Sequence, residues 1–284
     1  MTAEVIYGSE LAEKLRKEMQ GEVSSLREKG VIPKLTVVII GEDPASKSYV
    51  RGKQKASKEV GVDSNLIELP TTTTQQELLD LIEELNDDST IHGILVQLPL
   101  PDHINEQQII EAISPLKDVD GFHPINIGRM VAGKDTFYPC TPFGIITMLK
   151  SKNIQMEGKK AVVIGRSNIV GKPVGLLLLN ENATVTYCHS KTRNMKEYTK
   201  EADILIVAVG KEHFLSGDDI KAGAVVIDVG VNRMANGKLT GDVEFESAKD
   251  KASYITPVPK GVGPMTITML LHNTIKSARQ FHNL

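Results

Sequence analysis

Lys53 and Tyr49 stand four residues apart in a segment, Ala45–Val60, whose pattern predicts a helix closed by Gly61. Residues at this spacing share one face of a helix. A lysine in a partly dry cleft loses proton affinity and can serve as a general base or acid. Lysines are more often surface charges, and composition alone leaves that alternative open. The pairing with Tyr49 makes Lys53 the first candidate catalytic residue.

Further polar candidates follow a short buried strand predicted at Ile94–Val96. Gln97 stands directly after this strand, and the carboxyl ends of parallel strands are where α/β sheets bind ligands. Asp118 and Asp120 lie in a stretch rich in turn residues, where a carboxylate can accept N–H donors from a heterocyclic substrate. Either aspartate can instead support a turn, and Gln97 can simply make a loop hydrogen bond.

The residues from Lys160 to Pro173 predict a strand, a glycine-containing turn and the start of a helix. This order holds phosphates at a helix N-terminus, where unpaired N–H groups and the helix dipole meet an anion. Its spacing, Gly165-x-Ser167-x-x-x-Gly171, is a variant of the dinucleotide fingerprint G-x-G-x-x-G with a serine in the middle position, although such turns also occur without a ligand. The candidate cofactor-binding residues here are Gly165, Arg166, Ser167, Val170, Gly171 and Pro173.

The next predicted strand, Thr184–Cys188, is followed by a basic loop rather than an acidic residue. NAD-binding proteins place a carboxylate near this point to accept the ribose hydroxyls. Lys191, Arg193 and the neighbouring hydroxyls can bind a 2′-phosphate, which a carboxylate would repel, so the loop predicts NADP over NAD. A solvated basic turn is the alternative. The candidate cofactor-binding residues in the loop are His189, Ser190, Lys191 and Thr192.

A further glycine-containing segment lies at Pro257–Pro264. Its glycines would let the backbone approach a flat ligand closely, although the segment can also be a plain connection. Its candidate substrate-binding residues are Pro259, Lys260 and Gly261.

All these candidates need elements that bring strand ends and turns together, and strand and helix patterns alternate along the whole chain. The alternation predicts an α/β fold with parallel sheets, and 284 residues suffice for two domains with cores of their own. We place an N-terminal α/β substrate domain at 1–140 and a C-terminal Rossmann-like NADP-binding domain at 141–264. A last predicted helix, at about 265–284, completes the first domain.

Composition excludes several other classes of protein. Lys and Arg number 33 against 36 Asp and Glu, a net charge of −3, which gives no basic excess for nucleic acid. The apolar runs are far shorter than the roughly 18 residues that span a bilayer, and the N-terminal segment lacks the pattern of a secretory signal. The 2 cysteines are far apart and the histidines are scattered. We therefore expect a cytoplasmic protein with no metal site and no membrane partner.

Several segments together resemble the bifunctional methylenetetrahydrofolate dehydrogenase/methenyltetrahydrofolate cyclohydrolase family of the FolD type. They follow the family's order over nearly the whole chain. They are YVRGK (49–53), VQLPLP (96–101), KDVDGFH (117–123), PCTPFG (139–144), GRSNIVGKP (165–173), CHSKT (188–192) and PVPKGVGPMT (257–266). The common family pattern has Gly-Gly where this chain has Lys260-Gly261, so a side chain lies near the expected folate position.

The resemblance implies a cleft between the domains in which a tetrahydrofolate substrate points its one-carbon unit towards the nicotinamide. Lys53 would be the catalytic lysine, which Gln97 hydrogen-bonds and tunes. Tyr49 would position or stack on the folate, and Asp120 would hold its pterin. The expected activities are NADP-dependent oxidation of 5,10-methylenetetrahydrofolate and hydrolysis of the product to 10-formyltetrahydrofolate. The family also implies a homodimer, usually formed through the Rossmann domains.

Three other interpretations remain at this stage. The chain can be another two-domain NADP-dependent dehydrogenase that resembles shikimate dehydrogenase, which the YVRGK and VQLPLP segments oppose. It can be a monofunctional dehydrogenase of the same family, which the set of Tyr49, Lys53 and Gln97 opposes. It can also be a non-catalytic NADP sensor, which would leave Lys53, Gln97 and Asp120 without a role.

Overall fold

The computed structural model of the chain describes residues 2–284 and alternates strands with helices. The strands are β1 (Glu4–Val5), β2 (Lys34–Ile40), β3 (Asp63–Leu69), β4 (Gly93–Val96), β5 (Lys160–Ile164), β6 (Thr184–Cys188), β7 (Ile204–Val207), β8 (Val225–Asp228), β9 (Asn232–Arg233), β10 (Leu239–Thr240) and β11 (Tyr254–Ile255). The α-helices are α1 (Gly8–Glu28), α2 (Pro44–Val60), α3 (Gln75–Asp87), α4 (Glu106–Ala112), α5 (Pro124–Val131), α6 (Cys140–Ser151), α7 (Gly171–Asn180), α8 (Met195–Thr199), α9 (Phe245–Lys249) and α10 (Val262–Phe281).

The chain divides into two compact units. The three-strand unit comprises Lys14–Cys140 and Ile267–Leu284, and the six-strand unit comprises Thr141–Thr266 with the described residues up to Glu13. The sequence prediction had assigned the first 13 residues to the N-terminal domain. The described part of this segment, residues 2–13, groups instead with the six-strand unit, because β1 pairs in parallel with β11. A strand of this length carries too little pattern to reveal its partner.

The sheet of the three-strand unit has the order β3-β2-β4, and both pairings are parallel. The central strand β2, KLTVVII, is buried from Leu35 onwards, as expected for a strand with neighbours on both edges and helices on its faces. Apolar residues of α3 and α4 pack with those of β2 and β4 in one core. This packing fixes the end of β4, where Gln97 follows.

Local sequence signals set the ends of α2 and α3. Asp43 caps α2 by accepting from the backbone N–H of Ser46 at 2.7 Å, and Gly61 ends it in the left-handed conformation, with φ 89°. Thr74 and Glu77 form a capping box at the start of α3. Since α2 starts and stops at fixed residues, the position of Lys53 on its face is fixed as well.

The sheet of the six-strand unit has the order β1-β11-β8-β7-β5-β6, and every pairing in it is parallel. Strands β7 and β8 are buried at every residue. The strand β5 has β6 on one side and β7 on the other, so the chain reverses its direction of progress across the sheet at β5. Open α/β sheets bind ligands at the carboxyl ends of the strands beside such a reversal. The predicted α/β class with parallel sheets is confirmed.

Several short elements were not predicted, namely β1, β9, β10, β11, α8 and α9, and three longer elements also differ from the sequence prediction. Strand β3, DSNLIEL, was not predicted. It is an edge strand that is only partly buried, and its polar residues interrupt the apolar pattern that would indicate a strand. Helix α5 was not predicted, since the expected stretch of turn residues ended at Pro124 and no element was assigned after it, although Pro124 and the His123 cap are ordinary helix-start signals. Helix α10 begins at Val262, a few residues before the predicted start, since Pro264 is tolerated in a first turn.

Membrane-spanning helices and metal-binding clusters can both be sought among the described residues. Between residues 2 and 284, no helix has the length and apolar character that a membrane span requires. Within the same range, no group of three or more His, Cys, Asp or Glu side chains is arranged to hold a metal ion.

Candidate functional site

Lys53 is a buried lysine, with only 7 % of its surface exposed, on the inward face of α2. Its Nζ donates a hydrogen bond to Oε1 of Gln97 at 2.9 Å. Burial lowers the pKa of the Lys53 ammonium, and the charge of Asp120 opposes part of that change. The surface-lysine alternative is therefore wrong for this residue. A buried amine with lowered proton affinity is what a general base requires.

Gln97 holds the orientation that this contact needs. Its backbone N–H donates to the carbonyl oxygen of Val38, which extends the pairing of β2 and β4 by one residue. Its side-chain Nε2 donates to the carbonyl oxygen of Leu98 at 2.7 Å. Because the amide nitrogen is used in this way, the amide oxygen faces Lys53. The position after β4, read from the sequence as a ligand-binding strand end, is thus next to the buried lysine.

The half-buried Asp120 and the buried Cys140 complete the cluster through their electrostatic effects on Lys53. Burial raises the pKa of the Asp120 carboxyl, and the Lys53 charge acts in the opposite direction. The Cys140 thiol lies 3.3 Å from the carbonyl oxygen of Val119 and is within hydrogen-bonding reach of Asp120. Burial raises the pKa of this thiol well above its ordinary value, so it stays protonated. Sequence reasoning did not include Cys140 in the site, and only its presence in PCTPFG pointed to it.

Asp118 supports the loop that carries Asp120. Its carboxylate accepts from the backbone N–H groups of Gly121 at 3.1 Å, Phe122 at 3.2 Å and His123 at 2.8 Å, and from Nδ2 of Asn126 at 2.8 Å. Burial raises its pKa to about 7, against the effect of these donors. Of the two functions left open for this residue, turn support is the one its contacts satisfy.

Two further residues fix the same loop from other elements. Nδ2 of Asn273, on α10, donates to the carbonyl oxygens of Val119 at 2.8 Å and Tyr138 at 3.1 Å. Gly121 has φ 78°, and a Cβ on it would lie 2.5 Å from the carbonyl carbon of Tyr138. Only glycine meets both requirements. These contacts therefore hold the segment that carries Asp120 against the segment around Tyr138.

Tyr49 lies one helical turn before Lys53 and is 41 % exposed, unlike the lysine. An exposed aromatic ring next to a buried amine offers a stacking surface for a flat ligand. A small pocket of the three-strand unit includes Asp120 of the cluster in its lining, together with Leu98, Asp118 and Phe122 among other residues. The three-strand unit thus combines an apolar recess with a carboxylate and a lysine of lowered pKa.

The glycine turn of the six-strand unit has the close contacts of a dinucleotide fold. Gly165 has φ 124°, and a Cβ there would lie 2.3 Å from the carbonyl oxygen of Ala208. A Cβ on Gly171 would lie 2.5 Å from the carbonyl oxygen of Gly165, and one on Gly175 would overlap the Tyr187 hydroxyl. These glycines allow the tight turn, the approach of the helix start and the packing of α7 on the sheet. The turn fits a bound dinucleotide phosphate.

Ser167 modifies this turn. Its Oγ accepts from the backbone N–H groups of Val170 and Gly171, each at 3.2 Å. The serine therefore satisfies donors that a fingerprint glycine would leave for a phosphate, while its own hydroxyl proton remains able to donate to one. Arg166 is exposed beside it, and Pro173 is buried in the first turn of α7.

The basic loop after β6 is an exposed turn held by its own residues. The backbone N–H of His189 donates to Oγ1 of Thr192 at 2.8 Å, and that of Lys191 donates to Nδ1 of His189 at 3.2 Å. Lys191 and Ser190 are exposed, and among residues 2–284 no carboxylate forms an ion pair with Lys191. The lysine charge is available to an anionic ligand, whereas Thr192 serves mainly to shape the turn.

The segment at Pro257–Pro264 continues from the carboxyl end of β11. Pro259 and Lys260 are exposed, and Lys260 has φ 80°, the left-handed region that favours glycine. A Cβ on Gly261 would lie 2.3 Å from the carbonyl oxygen of Pro257. The turn is tight at both positions, and Lys260 adopts a glycine-like conformation at an energetic cost.

Parallel sheet order, glycine turn and basic loop in one unit, and a buried lysine cluster in the other, define a two-domain α/β protein with a Rossmann-like dinucleotide-binding domain. Residues 6–120 match the model of the tetrahydrofolate dehydrogenase/cyclohydrolase catalytic domain, and residues 139–282 match that of the NAD(P)-binding domain. The chain belongs to the tetrahydrofolate dehydrogenase/cyclohydrolase family, as the sequence segments had suggested.

Relatives match over the full length. The chain is 65 % identical to the bifunctional protein FolD of Oceanobacillus iheyensis, over 99 % of each chain. The structure of the bifunctional FolD enzyme of Campylobacter jejuni has a TM-score of 0.97 at 50 % identity and covers 98 % of this chain and 99 % of its own. The Trypanosoma brucei FolD structure, complexed with NADP and an inhibitor, has a TM-score of 0.95 at 38 % identity and covers all of both chains. Shikimate dehydrogenase of Thermus thermophilus, at 14 % identity, shares the fold only.

Proposed function

We infer that the chain is a bifunctional enzyme of one-carbon metabolism. It oxidises 5,10-methylenetetrahydrofolate with NADP and hydrolyses the resulting 5,10-methenyltetrahydrofolate to 10-formyltetrahydrofolate. Full-length similarity to bifunctional FolD proteins supports both activities, and the lysine cluster carries the assignment on physical grounds. The shikimate dehydrogenase alternative has no support beyond a shared fold.

The single observation that carries the hydrolytic step is the buried contact of Lys53 with Gln97. The methenyl carbon lies between two nitrogens and is a cation, so water can add to it when a base removes a proton. Lys53, whose pKa burial lowers, accepts that proton while the oxygen bonds to the carbon. The same ammonium then returns the proton to the pterin nitrogen as the bond between that nitrogen and the carbon breaks. The hydroxyl proton leaves to water as the carbonyl forms, so the formyl group remains on the other nitrogen and one proton is released overall.

The oxidation demands less from the side chains. The nitrogen lone pairs of the substrate stabilise the cation that remains after hydride departure, so alignment of the carbon is the main requirement. When bound, NADP supplies the hydride acceptor. We assign Tyr49 to stacking on the folate, Asp120 to the N–H groups of its pterin, and Pro259, Lys260 and Gly261 to further substrate contacts.

We assign the nucleotide to the six-strand unit. Gly165 and Gly171 make room for the pyrophosphate, the Ser167 hydroxyl donates to it, and Arg166, Val170 and Pro173 shape the same turn.

Lys191 binds the 2′-phosphate together with Ser190, on a loop that His189 and Thr192 hold. The three-strand unit is then the folate domain, and the six-strand unit is the NADP domain.

We further propose that the enzyme works in the cytoplasm as a homodimer. The two free, buried cysteines support a reducing compartment. The edge strand β6 carries the partly exposed Tyr187, and an open edge can take up a second copy of the chain. Sedimentation analysis of the purified protein tests the dimer, and a monomer at micromolar concentration would contradict it.

The experiment that tests the function follows two chromophores at once. Purified protein receives methylenetetrahydrofolate with NADP or with NAD, and absorbance records both the reduced nucleotide and methenyltetrahydrofolate. We expect reduction of NADP with little accumulation of the methenyl compound, and hydrolysis of added methenyltetrahydrofolate without any nucleotide. A folded protein that reduces neither nucleotide would overturn the assignment. Reduction with a large excess of the methenyl compound would contradict the hydrolytic activity alone.

A further inference from the structure

Two carboxylates that no assignment above uses lie buried in the six-strand unit. Asp228 is the last residue of β8 and is 4 % exposed, and Asp242 follows β10 and is fully buried. Buried carboxylates are rare unless they are fully hydrogen-bonded. Their partners therefore show what these two residues do.

Asp242 binds the turn that follows β7. Its Oδ2 accepts from the backbone N–H groups of Val209 at 2.7 Å and Gly210 at 2.9 Å, and its Oδ1 accepts from the backbone N–H of Lys211 at 2.8 Å. Nδ2 of Asn232 donates to Oδ1 as well, at 2.9 Å. One carboxylate thus gathers three consecutive N–H groups of the turn, an arrangement that holds the backbone in one conformation.

Asp228 holds Asp242 in place. Its carboxylate accepts from the backbone N–H of Asp242 at 3.0 Å and of Val243 at 2.9 Å, and from that of Gly230 at 3.0 Å. A Cβ on Gly230 would lie 2.1 Å from Oδ1 of Asp242, and the carboxylate of Asp228 is packed as closely on Gly241. Each aspartate thus lies directly on the backbone of the segment that carries the other, which leaves little room for adjustment.

The turn held by Asp242 lies at the reversal point of the sheet. Strands β5 and β7 are neighbours, and the backbone N–H of Ala208 donates to the carbonyl oxygen of Ile164, the last residue of β5. The carbonyl oxygen of Ala208 is the atom that forbids a Cβ on Gly165. The turn from Val209 to Lys211 therefore follows directly on the residue that contacts the glycine turn. Gly210 is exposed there, and no atom lies within 4 Å of the position that a Cβ on it would take.

We propose that Asp242 is a positioning residue for the pyridine nucleotide, acting through the turn Val209-Gly210-Lys211 beside the glycine turn. The proposal rests on the proposed function, since it presumes that the six-strand unit binds NADP. The carboxylate fixes the backbone of this turn before the nucleotide arrives, so binding the nucleotide does not require free energy to order the turn. The lysine cluster lies in the other unit and does not depend on Asp242.

The test compares Asp242→Asn with Asp218→Asn, a matched change at an exposed aspartate of the same unit. Asparagine has nearly the same shape but turns an amide group towards N–H donors. We expect the dissociation constant for NADPH, measured by its fluorescence, and KM for NADP to rise about tenfold or more in Asp242→Asn. The rate of methenyltetrahydrofolate hydrolysis without nucleotide should stay within about twofold of the parent protein. Asp218→Asn should change none of these values.

A second variant covers the case in which Asp242→Asn does not fold. Asn232→Ala removes one donor to the same carboxylate from a partly exposed position, and it should raise the NADPH dissociation constant about two- to threefold. Unchanged NADPH binding in a folded variant with a lowered melting temperature would overturn the positioning role, as would a parallel loss of hydrolysis. An unmodified protein that binds no NADPH would instead refute the proposed function itself.

Discussion

The lysine cluster of the three-strand unit and the glycine turn of the six-strand unit solve different physical problems. Lys53, Asp120 and Cys140 are side chains whose pKa values burial shifts, and each affects the charge of the next. The glycine turn relies on the absence of side chains, and the groups around it, Arg166 and Lys191, are exposed. A proton-transfer site needs tuned side chains, whereas a phosphate site needs backbone geometry and available positive charge.

Because of this difference, the two regions respond differently to the substitution of a charged residue. A substitution in the cluster alters the free energy of a charged form in a low-dielectric setting, where a single partner has a large effect. A charge change in the nucleotide region acts in solvent and is screened, so its effect is smaller and depends on salt. The two activities of the enzyme therefore offer separate measurements of the two regions.

The largest expected effect is that of Lys53→Met. Methionine fills a similar space without a titratable group, so methenyltetrahydrofolate hydrolysis should fall by about 100-fold or more, while NADP reduction falls much less. Absorbance assays of each step measure the ratio. Lys55→Met, at an exposed lysine of the same helix, is the control and should retain both rates. Equal losses of both activities in Lys53→Met would show that Lys53 does not act chiefly in the hydrolytic step.

A smaller effect is expected for Lys191→Ala in the nucleotide region. Loss of a charge-assisted bond to the 2′-phosphate should raise KM for NADP about tenfold and leave KM for NAD unchanged. The effect should weaken as salt concentration rises. Steady-state kinetics with both nucleotides provide the measurement, and the exposed Lys200→Ala serves as control. If KM for NAD rises as much as KM for NADP, Lys191 does not bind the 2′-phosphate.

Asp120→Asn tests the electrostatic coupling within the cluster. The charge of Asp120 raises the pKa of Lys53, which burial otherwise lowers. Removal of that charge should lower the pKa further, so the rise of hydrolysis with pH should move to lower pH. The measurement is kcat at saturating methenyltetrahydrofolate across the pH range, with the exposed Asp102→Asn as control. An unmoved profile would mean that Lys53 is not the titrating base.

The smallest effect concerns Lys260, whose φ of 80° favours glycine. Lys260→Gly should raise the free energy of unfolding by about 0.5–1 kcal/mol, because a lysine in the left-handed backbone conformation is sterically strained and a glycine is not. Thermal unfolding measures this gain, and Lys260→Ala should not show it because alanine keeps the strain. Equal increases of KM for folate in both variants would assign the lysine side chain to the substrate. A melting temperature that does not rise in Lys260→Gly would refute the strain.

Much of the fold could be predicted from the sequence because its signals are local. The capping box at Thr74, the stop at Gly61 and the apolar run of β2 each depend on neighbouring residues only. Residues 2–13 group with the six-strand unit rather than with the predicted N-terminal domain, because β1 pairs with β11, far along the chain. Helix α5 was missed because its eight residues are too short for a clear periodic pattern.

The candidate residues of the lysine cluster were predictable as types but not as a cluster. Spacing on α2 linked Lys53 with Tyr49, but the structure shows one buried and the other exposed. Gln97 comes from the end of another element, and its contact with Lys53 joins residues 44 positions apart. Cys140 and Asn273 were not identified because neither has a local pattern that points to Asp120.

The sequence by itself determined the α/β class, the glycine turn, the basic loop and the family, since these depend on residue order and short-range sterics. Only the tertiary structure decided which lysine is buried, which aspartate supports a loop and that Asp242 holds a turn beside the glycine turn. The physical reason is that burial and long-range hydrogen bonds arise when distant segments pack together. The free energy of a charge depends on that packing rather than on its neighbours in the chain.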